Sequence, residues 1–438
     1  MLPAAAPEQP ESLTAIIEDL DRVISPHLLH WQHPSFFGYF PANADLASVL
    51  GDMVSGGLGV QGMLWSTSPA CTELEMHMMD WCADLLGLPG QFKSSGAGGG
   101  VIQDTASSAA LCALVAARER ASDGAMNARG IGAGAGGRPL AVYASSQAHS
   151  SIEKAVRIAG LGSASMRRID VDDSLSMRSH ELARAMRRDQ EDGIVPCFVV
   201  ATVGSTSTMA MDDLASTAKL CRQFGAWLHV DAALAGCAAI CPELRALHDG
   251  LEGADSYCTN PHKWLGVNFD CDLFYVRDRS ALVGALGIEP EYLKNAATAS
   301  GEVIDYRDWQ VPLGRRFRAL KLWFLLRLQG AEALRGRVRA SCGLAQWLVA
   351  RLAELPHIEV LSPQRLGLVC LRHRDGEQAT AGLLAAINAS GKAFVTHTRV
   401  PWPGSGSQAS CTLRVSIGNP YTLQSDLEGI LHLLASAG

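Results

Sequence analysis

The sequence predicts an α/β protein in which a large unit on a mostly parallel sheet precedes a smaller α+β unit. Three observations carry this. Between Pro139 and Val276, short runs that are apolar at nearly every residue (LAVYAS, CFVVATV, AWLHVD, DLFYV) alternate with helix-length segments, the pattern of a sheet covered on both faces. Beyond residue 331 a long helix precedes runs suited to hairpins (IEVL, GLVCLRHR, FVTHTRV, LRVSIGN). The length, 438 residues, exceeds one ordinary domain. The expected division is an N-terminal segment over 1–65, a large unit over 66–330 and a small unit over 331–438.

Composition narrows the function classes. Apolar residues make up 48% and charged residues 18%, a soluble globular mixture, and the formal charge is −7 with no Lys/Arg stripe fit for a phosphate backbone. Nucleic acid is therefore not an expected partner. The twelve cysteines are scattered without a C-x-x-C pair or zinc spacing, which predicts no metal site and fits a reduced cytoplasm. The start, MLPAAAPEQPESL, has neither the basic region nor the apolar core of a secretory signal, and no run reaches the roughly twenty apolar residues of a membrane span.

In chain order, Leu13, Ile16, Ile17 and Leu20 give a helical period that Pro26 ends. The next stretch crowds Trp31, Phe36, Phe37, Tyr39 and Phe40 around prolines; it fits either a buried connector or the wall of a pocket for a flat ligand. Thr72 and Glu75 form a capping-box pattern for a helix buried through Leu74, Met78, Trp81 and Leu85. Gly96 and Gly98 to Gly100 read as a close turn with no strand before it, and Thr105, Ser107 and Ser108 open a helix to about Arg118. Free amides there suit an anion, although a structural cap reads the same way. Residues 121–138 are a Gly-rich loop, and 281–312 a polar loop or lid containing Tyr292. Residues 314–328 predict a helix with a basic side, placed as a brace between folded regions, and Arg414 falls in a late strand.

Residues at the carboxyl ends of parallel strands meet in the ligand crevice. Those ends supply His149, the turn at 204–208 and Asp231. Asp231 closes an apolar run, and Lys263 lies in NPHKW some thirty residues later, beside His262. A charge in such surroundings must be paired or must work. A lysine amine that forms an imine with an aldehyde, and a carboxylate that keeps a pyridine nitrogen protonated, are the two groups a pyridoxal phosphate site needs. Either residue alone fits equally well as a strand-end cap or a surface lysine.

The motifs SPACTELE (68–75), GGGVIQ-x-x-AS (98–107), QAHSS (147–151), HVDAA (229–233), NPHKW (260–264) and PLGRRFR (312–318) together resemble the group II pyridoxal-phosphate decarboxylases, and within them the aromatic-L-amino-acid decarboxylases. The resemblance covers nearly the whole chain, more loosely in its last third. It implies a pyridoxal-phosphate-dependent transferase fold of type I, pyridoxal 5′-phosphate as cofactor, and a homodimer with the active site at the subunit interface. By resemblance, Lys263 carries the cofactor, Asp231 meets the pyridine nitrogen, Ala233 packs below the ring and His149 stacks over it. Ala106, Ser107 and Asn260 match phosphate-side contacts, Thr206 the threonine near the ring hydroxyl and phosphate, and His262 the histidine beside the lysine. Tyr292 matches a loop tyrosine that returns a proton to the substrate carbon after CO2 leaves. Trp31, Tyr39, Phe40 and Pro41 resemble the substrate-pocket wall.

The implied activity is decarboxylation of an L-amino acid, aromatic by resemblance (tryptophan, tyrosine, phenylalanine or DOPA). The alternative is the oxygen-dependent aldehyde synthase of the same family, in which the loop tyrosine is often phenylalanine or the stacking histidine asparagine; here both are the decarboxylase residues. Ala42 replaces a small hydroxyl residue, and Gln61 and Met63 replace an apolar and an aromatic one, which predicts a larger or more polar pocket. Family members usually carry a helical arm before the segment aligned with LPAAAP, so its absence from this sequence weakens the dimer expectation.

Overall fold

The computed structural model describes residues 4–288, 293, 303–361, 363–402 and 409–436. Seven strands form the large sheet: β1 (Gly99–Gln103), β2 (Leu140–Ser145), β3 (Met166–Ile169), β4 (Val195–Thr202), β5 (Trp227–Asp231), β6 (Ser256–Thr259) and β7 (Asp272–Val276). Their order is β1-β7-β6-β5-β4-β2-β3. The pairs from β6 through β5, β4 and β2 to β3 are parallel, while β7 is antiparallel to both neighbours. The chain turns back between β6 and β7 instead of crossing over. Asp272, the first residue of β7, therefore lies at the same sheet edge as the last residues of β1, β5 and β6.

The buried strands read as continuous apolar runs because both sheet faces are covered. One face packs Val199, Leu228, Val230 and Tyr257 against α3 (Pro69–Leu85; α1 is Leu13–Asp19 and α2 Leu46–Leu58) and the long helix Arg318–Leu352. The other packs Val142, Val200 and Phe274 against α4 (Ala106–Ser122) and the helices Ser150–Ile158 and Arg279–Leu286. The second sheet is antiparallel throughout, ordered β10-β11-β9-β8 from β8 (Ile358–Val360), β9 (Leu368–His373), β10 (Thr396–Pro401) and β11 (Ala409–Ser416). Its core takes Phe37 from the N-terminal segment and Ala345, Leu348 and Leu352 from the end of the long helix. That helix breaks at Gly330, whose torsion angles (φ 74°, ψ 158°) are not helical.

Three local expectations are corrected. The glycines at 99 and 100 open a strand, not a turn: a Cβ on Gly100 would stand 2.4 Å from Met79 Cε and 2.7 Å from the Tyr275 ring, so β1 fits between them only as bare backbone. Thr72 and Glu75 lie inside α3, whose N-cap is Ser68, and both are buried. Glu75 instead accepts from Ile102 N (2.8 Å) and pairs with Arg315 (2.5 Å), both side chains being out of solvent. The helix expected from residue 314 starts at Arg318, and two residues of the expected basic side, Arg315 and Lys321, are buried. Lys321 donates to the Asn268 carbonyl (3.0 Å) and faces Asp52 at 3.8 Å. Among the described residues no helix is long and apolar enough to cross a membrane.

Candidate active site

A cavity of about 250 Å3 opens at the carboxyl edge of the large sheet, walled by Lys263, Asp231, His149, Phe40 and ten further residues. Each key side chain is placed by a local rule. Asp231 is the last residue of β5, and its Oδ1 accepts from Ala233 N (3.1 Å). Lys263 sits in the single turn Pro261–Trp264, which begins on a proline whose missing N–H costs nothing at that position. Desolvation lowers the Lys263 amine below its ordinary value, while the charge of Asp231 opposes this. A lysine so placed is readier to act as a neutral nucleophile.

Two histidines are fixed in orientation. His149 is the N-cap of the helix Ser150–Ile158, and its Nδ1 accepts from Ser151 N (3.2 Å). His262 Nδ1 accepts from Cys271 N (2.9 Å), and its ring meets Phe269 edge-on at 4.8 Å. With Nδ1 accepting, the neutral ring of each carries its proton on Nε2. Burial lowers both rings, His262 to about 4, which keeps them neutral near pH 7.

Ala106, Ser107, Thr206, Ala233 and Asn260 also line the cavity. Thr105, the N-cap of α4, makes no side-chain capping bond, and while Ser108 N donates to the Thr105 carbonyl (3.0 Å), the Ala106 and Ser107 amides remain open to an anion. Phe40 stands between two cations, with Lys263 Nζ 5.2 Å and the Arg414 guanidinium 5.4 Å from its ring centre. Arg414 is committed to the carbonyls of Ser207 (3.1 Å) and Tyr39 (3.3 Å) and to Thr396 Oγ1 (3.0 Å).

The remaining expected residues do not line this cavity. Trp31 and Tyr39 stack in parallel at 5.4 Å and are half-exposed; Pro41 is buried and Ala42 partly so. Gln61 accepts from Arg315 N (3.2 Å), and the Met63 carbonyl accepts from Arg307 N (3.2 Å). Tyr292 lies outside the described residues. Thr105 and Gly204, expected at the helix start and the strand-end turn, also line the cavity, and Thr202 and Phe269 line it without having been singled out. Thr202 was within reach of sequence reasoning, since it ends the apolar run CFVVAT as Asp231 ends its own. So was His229, two residues before Asp231 on the same strand face; its Nδ1 lies 2.9 Å from Ser256 Oγ, and burial lowers it to about 4.

The cavity fits pyridoxal phosphate. It offers a desolvated lysine for the aldehyde, a carboxylate for the ring nitrogen and open helix amides for the phosphate, and two buried polar atoms at its wall, Asn260 Oδ1 and Thr202 Oγ1, have no partner among the described residues.

Comparison with known proteins agrees. Residues 1–374 match the family model described as the pyridoxal-dependent decarboxylase conserved domain. The chain is 45% identical over 431 residues to phenylacetaldehyde synthase of Arabidopsis thaliana, covering 96% of this chain and 85% of that protein. It is 41% identical over 440 residues to aromatic-L-amino-acid decarboxylase of Sus scrofa, covering 100% and 90%. Among solved structures, Oryza sativa TDC with PLP and tryptamine superposes with a TM-score of 0.93 at 37% identity, covering 99% of this chain and 89% of that one. Tryptophan decarboxylase of Catharanthus roseus in complex with L-tryptophan gives 0.91 at 36% identity, covering 100% and 90%. The cofactor is pyridoxal phosphate, the fold is that of the type I pyridoxal-phosphate enzymes, and the chain belongs to the group II pyridoxal-phosphate-dependent decarboxylases, a family of carboxy-lyases.

Proposed function

We propose that the protein converts an aromatic L-amino acid to its amine and CO2. The observation that carries this reading is the cavity that sets Lys263 and Asp231 against the Phe40 ring, with two neutral histidines beside them. Bound pyridoxal phosphate supplies an electron sink for the pair released when the carboxylate bond breaks. The protein's own groups do the rest. Lys263 would hold the cofactor through its amine and release it to the incoming amino group. Asp231 would keep the ring nitrogen protonated, and the Ala106 and Ser107 amides at the start of α4 would hold the phosphate. His149 and Phe40 would cover the cofactor and hold the substrate in the orientation that selects decarboxylation. Tyr292 returns a proton to the substrate carbon.

The working unit is a homodimer. Leu13, Leu46, Met53 and Leu58, on α1 and α2, are 73%, 68%, 67% and 58% exposed, more apolar surface than an isolated chain keeps in water. In such a dimer Gln61 and Met63, which do not line the cavity of their own chain, would serve the partner's cavity.

The second reading, an aldehyde synthase, is favoured by the 45% identity to phenylacetaldehyde synthase. It consumes O2 and water with the amino acid and releases aldehyde, CO2, ammonia and hydrogen peroxide. Incubation with L-tryptophan, L-tyrosine, L-phenylalanine, L-DOPA, L-histidine and L-glutamate, with and without oxygen, separates the readings. Amine and CO2 in equal amounts under both atmospheres are expected. Aldehyde and peroxide as the main products in air would replace the first reading with the second, and turnover of glutamate alone would overturn the aromatic pocket.

A further inference from the structure

One rung of the large sheet pairs two polar side chains, and the register of the next strand points to a third. Gln103 of β1 pairs directly with Asp272 of β7. On the other side of β7 the register runs Cys258 to Phe274 and Thr259 to Leu273, and Asn260 keeps extended torsion angles (φ −106°, ψ 98°). The ladder ends there, and carrying its register one position further sets Asn260 opposite Asp272. Opposite residues of a ladder project from one face with Cβ atoms about 5 Å apart. Asp272 is fully buried, and neither of its carboxyl oxygens has a hydrogen-bond partner among the described residues; Asn260 Oδ1 is also buried without a donor. The Gln103 amide is engaged elsewhere, donating to the Trp309 carbonyl (3.2 Å) and accepting from the Cys112 thiol (3.8 Å). Asn260 lines the cofactor cavity, whereas Asp272 is not part of its wall.

Two acceptors facing each other cannot satisfy one another, but a single proton on Asp272 settles both. The acid O–H donates to Asn260 Oδ1, which leaves the Asn260 Nδ2 hydrogens for the cavity; an ionised carboxylate would draw those hydrogens to itself. We propose that Asp272 is a positioning residue that, as the neutral acid, turns the Asn260 amide so that its N–H donors face pyridoxal phosphate, and that ionisation of Asp272 reverses the amide and loosens the cofactor. Desolvation first, then the carboxylates of Asp231 and Asp104, favour the neutral acid, and Lys263 opposes them. The other titratable groups around it, Cys112 on α4, Tyr257 and Cys258 in β6, Cys237 in the turn Ala235–Ile240 and the adjacent Cys271, are held uncharged by burial.

The inference rests on the reading that this cavity holds pyridoxal phosphate. Asp272→Asn keeps the shape and gives Asn260 a donor that does not titrate. The dissociation constant of pyridoxal phosphate is measured for the full chain and for the variant between about pH 6 and 9, from the visible absorbance of the lysine-bound cofactor. Taking their ratio cancels the protonation of the phosphate, and the Lys263 titration is fitted for each chain from its own absorbance and divided out. The ratio of wild-type to variant constants is expected to be near one at the acid end and to rise by up to about tenfold per pH unit once Asp272 ionises. An infrared difference spectrum between the two should show a carboxylic-acid carbonyl band from the wild type. A ratio that is flat with pH, or carboxylate bands at neutral pH, would overturn the role of Asp272. In an Asn260→Ala background Asp272→Asn should no longer alter the pH dependence; a persisting change would overturn the route through Asn260. Absence of visible absorbance in the wild type would instead overturn the cofactor reading.

Discussion

Replacing Glu75 by Gln leaves the Arg315 guanidinium charged in a site from which water is excluded. The two side chains are 0% and 1% exposed, and their contact is 2.5 Å. Arg315 also donates to the carbonyls of Gly62 (3.2 Å) and Ile102 (3.1 Å), so it cannot swing out to solvent without breaking those bonds as well. Removing one partner of a buried pair costs about 3–5 kcal/mol, chiefly because the remaining charge is stranded. Cooperative unfolding carries about 2.1 cal/mol/K per residue, hence about 0.9 kcal/mol/K for 438 residues, so the midpoint should fall by about 3–5 °C. Calorimetry on Glu75→Gln, Arg315→Gln and the double variant tests this. The double variant should melt well above the level at which the two single losses add, since neither charge is then unpaired. Single variants that melt within about 1 °C of the parent, or strict additivity, would refute the argument. Because Glu75 also holds Ile102 in β1, which leads into the phosphate-side residues Ala106 and Ser107, the single variants should lose cofactor more readily too.

Lys263→Ala should abolish both the visible absorbance of the bound cofactor and turnover, while far-ultraviolet circular dichroism stays unchanged. Gly100→Ala should destabilise by about 1–3 kcal/mol through overpacking, read as a lower urea midpoint, and Met79→Ala in the same chain should recover part of it. His229, His248 and His262 are each lowered from 6.5 to about 4 by burial, so the unfolded chain takes up protons that the folded one refuses, and their contribution to stability is lost as pH falls from about 6.5 towards 4. Asp212, raised to about 6 by burial, works in the opposite sense, losing stability as pH rises from about 4 to 6. His248→Gln should make the fall in urea midpoint between about pH 6.5 and 4 shallower, and an unchanged slope would show that His248 titrates normally when folded.

Asp231 and Lys263 could be read from the chain because an ionisable residue beside an apolar run is anomalous wherever it occurs. The parallel strands could be read for the same reason, burial on both faces leaving a run with no polar alternation. What escaped was set by partners distant in sequence. Glu75 has the spacing of a capping box, and only Arg315, 240 residues away, shows its purpose. Arg315 and Lys321 look like surface cations until Glu75 and Asp52 are brought to them. β1 was hidden because its glycines answer to the width of the gap between Met79 and Tyr275, a quantity no local pattern records. Asp272 reads as an ordinary polar residue opening the strand run DLFYV, and only the antiparallel direction of β7 carries it to the edge where the cavity opens.

The break in the long helix carries its own consequence. The first piece packs in the large core through Ala319, Leu322 and Leu325; the second starts there with Leu334 and Val338 and ends in the small core with Ala345, Leu348 and Leu352. A Cβ added at Gly330 would meet no atom within 4 Å, so the bend is not wedged open by neighbours. It is stored in the torsion of one residue, at φ 74°, which an L-residue adopts only at a cost of about 1–2 kcal/mol. The angle between the rods, and with it the seating of Arg414 from the small sheet against the Phe40 wall, is written in the stereochemistry of a single α-carbon.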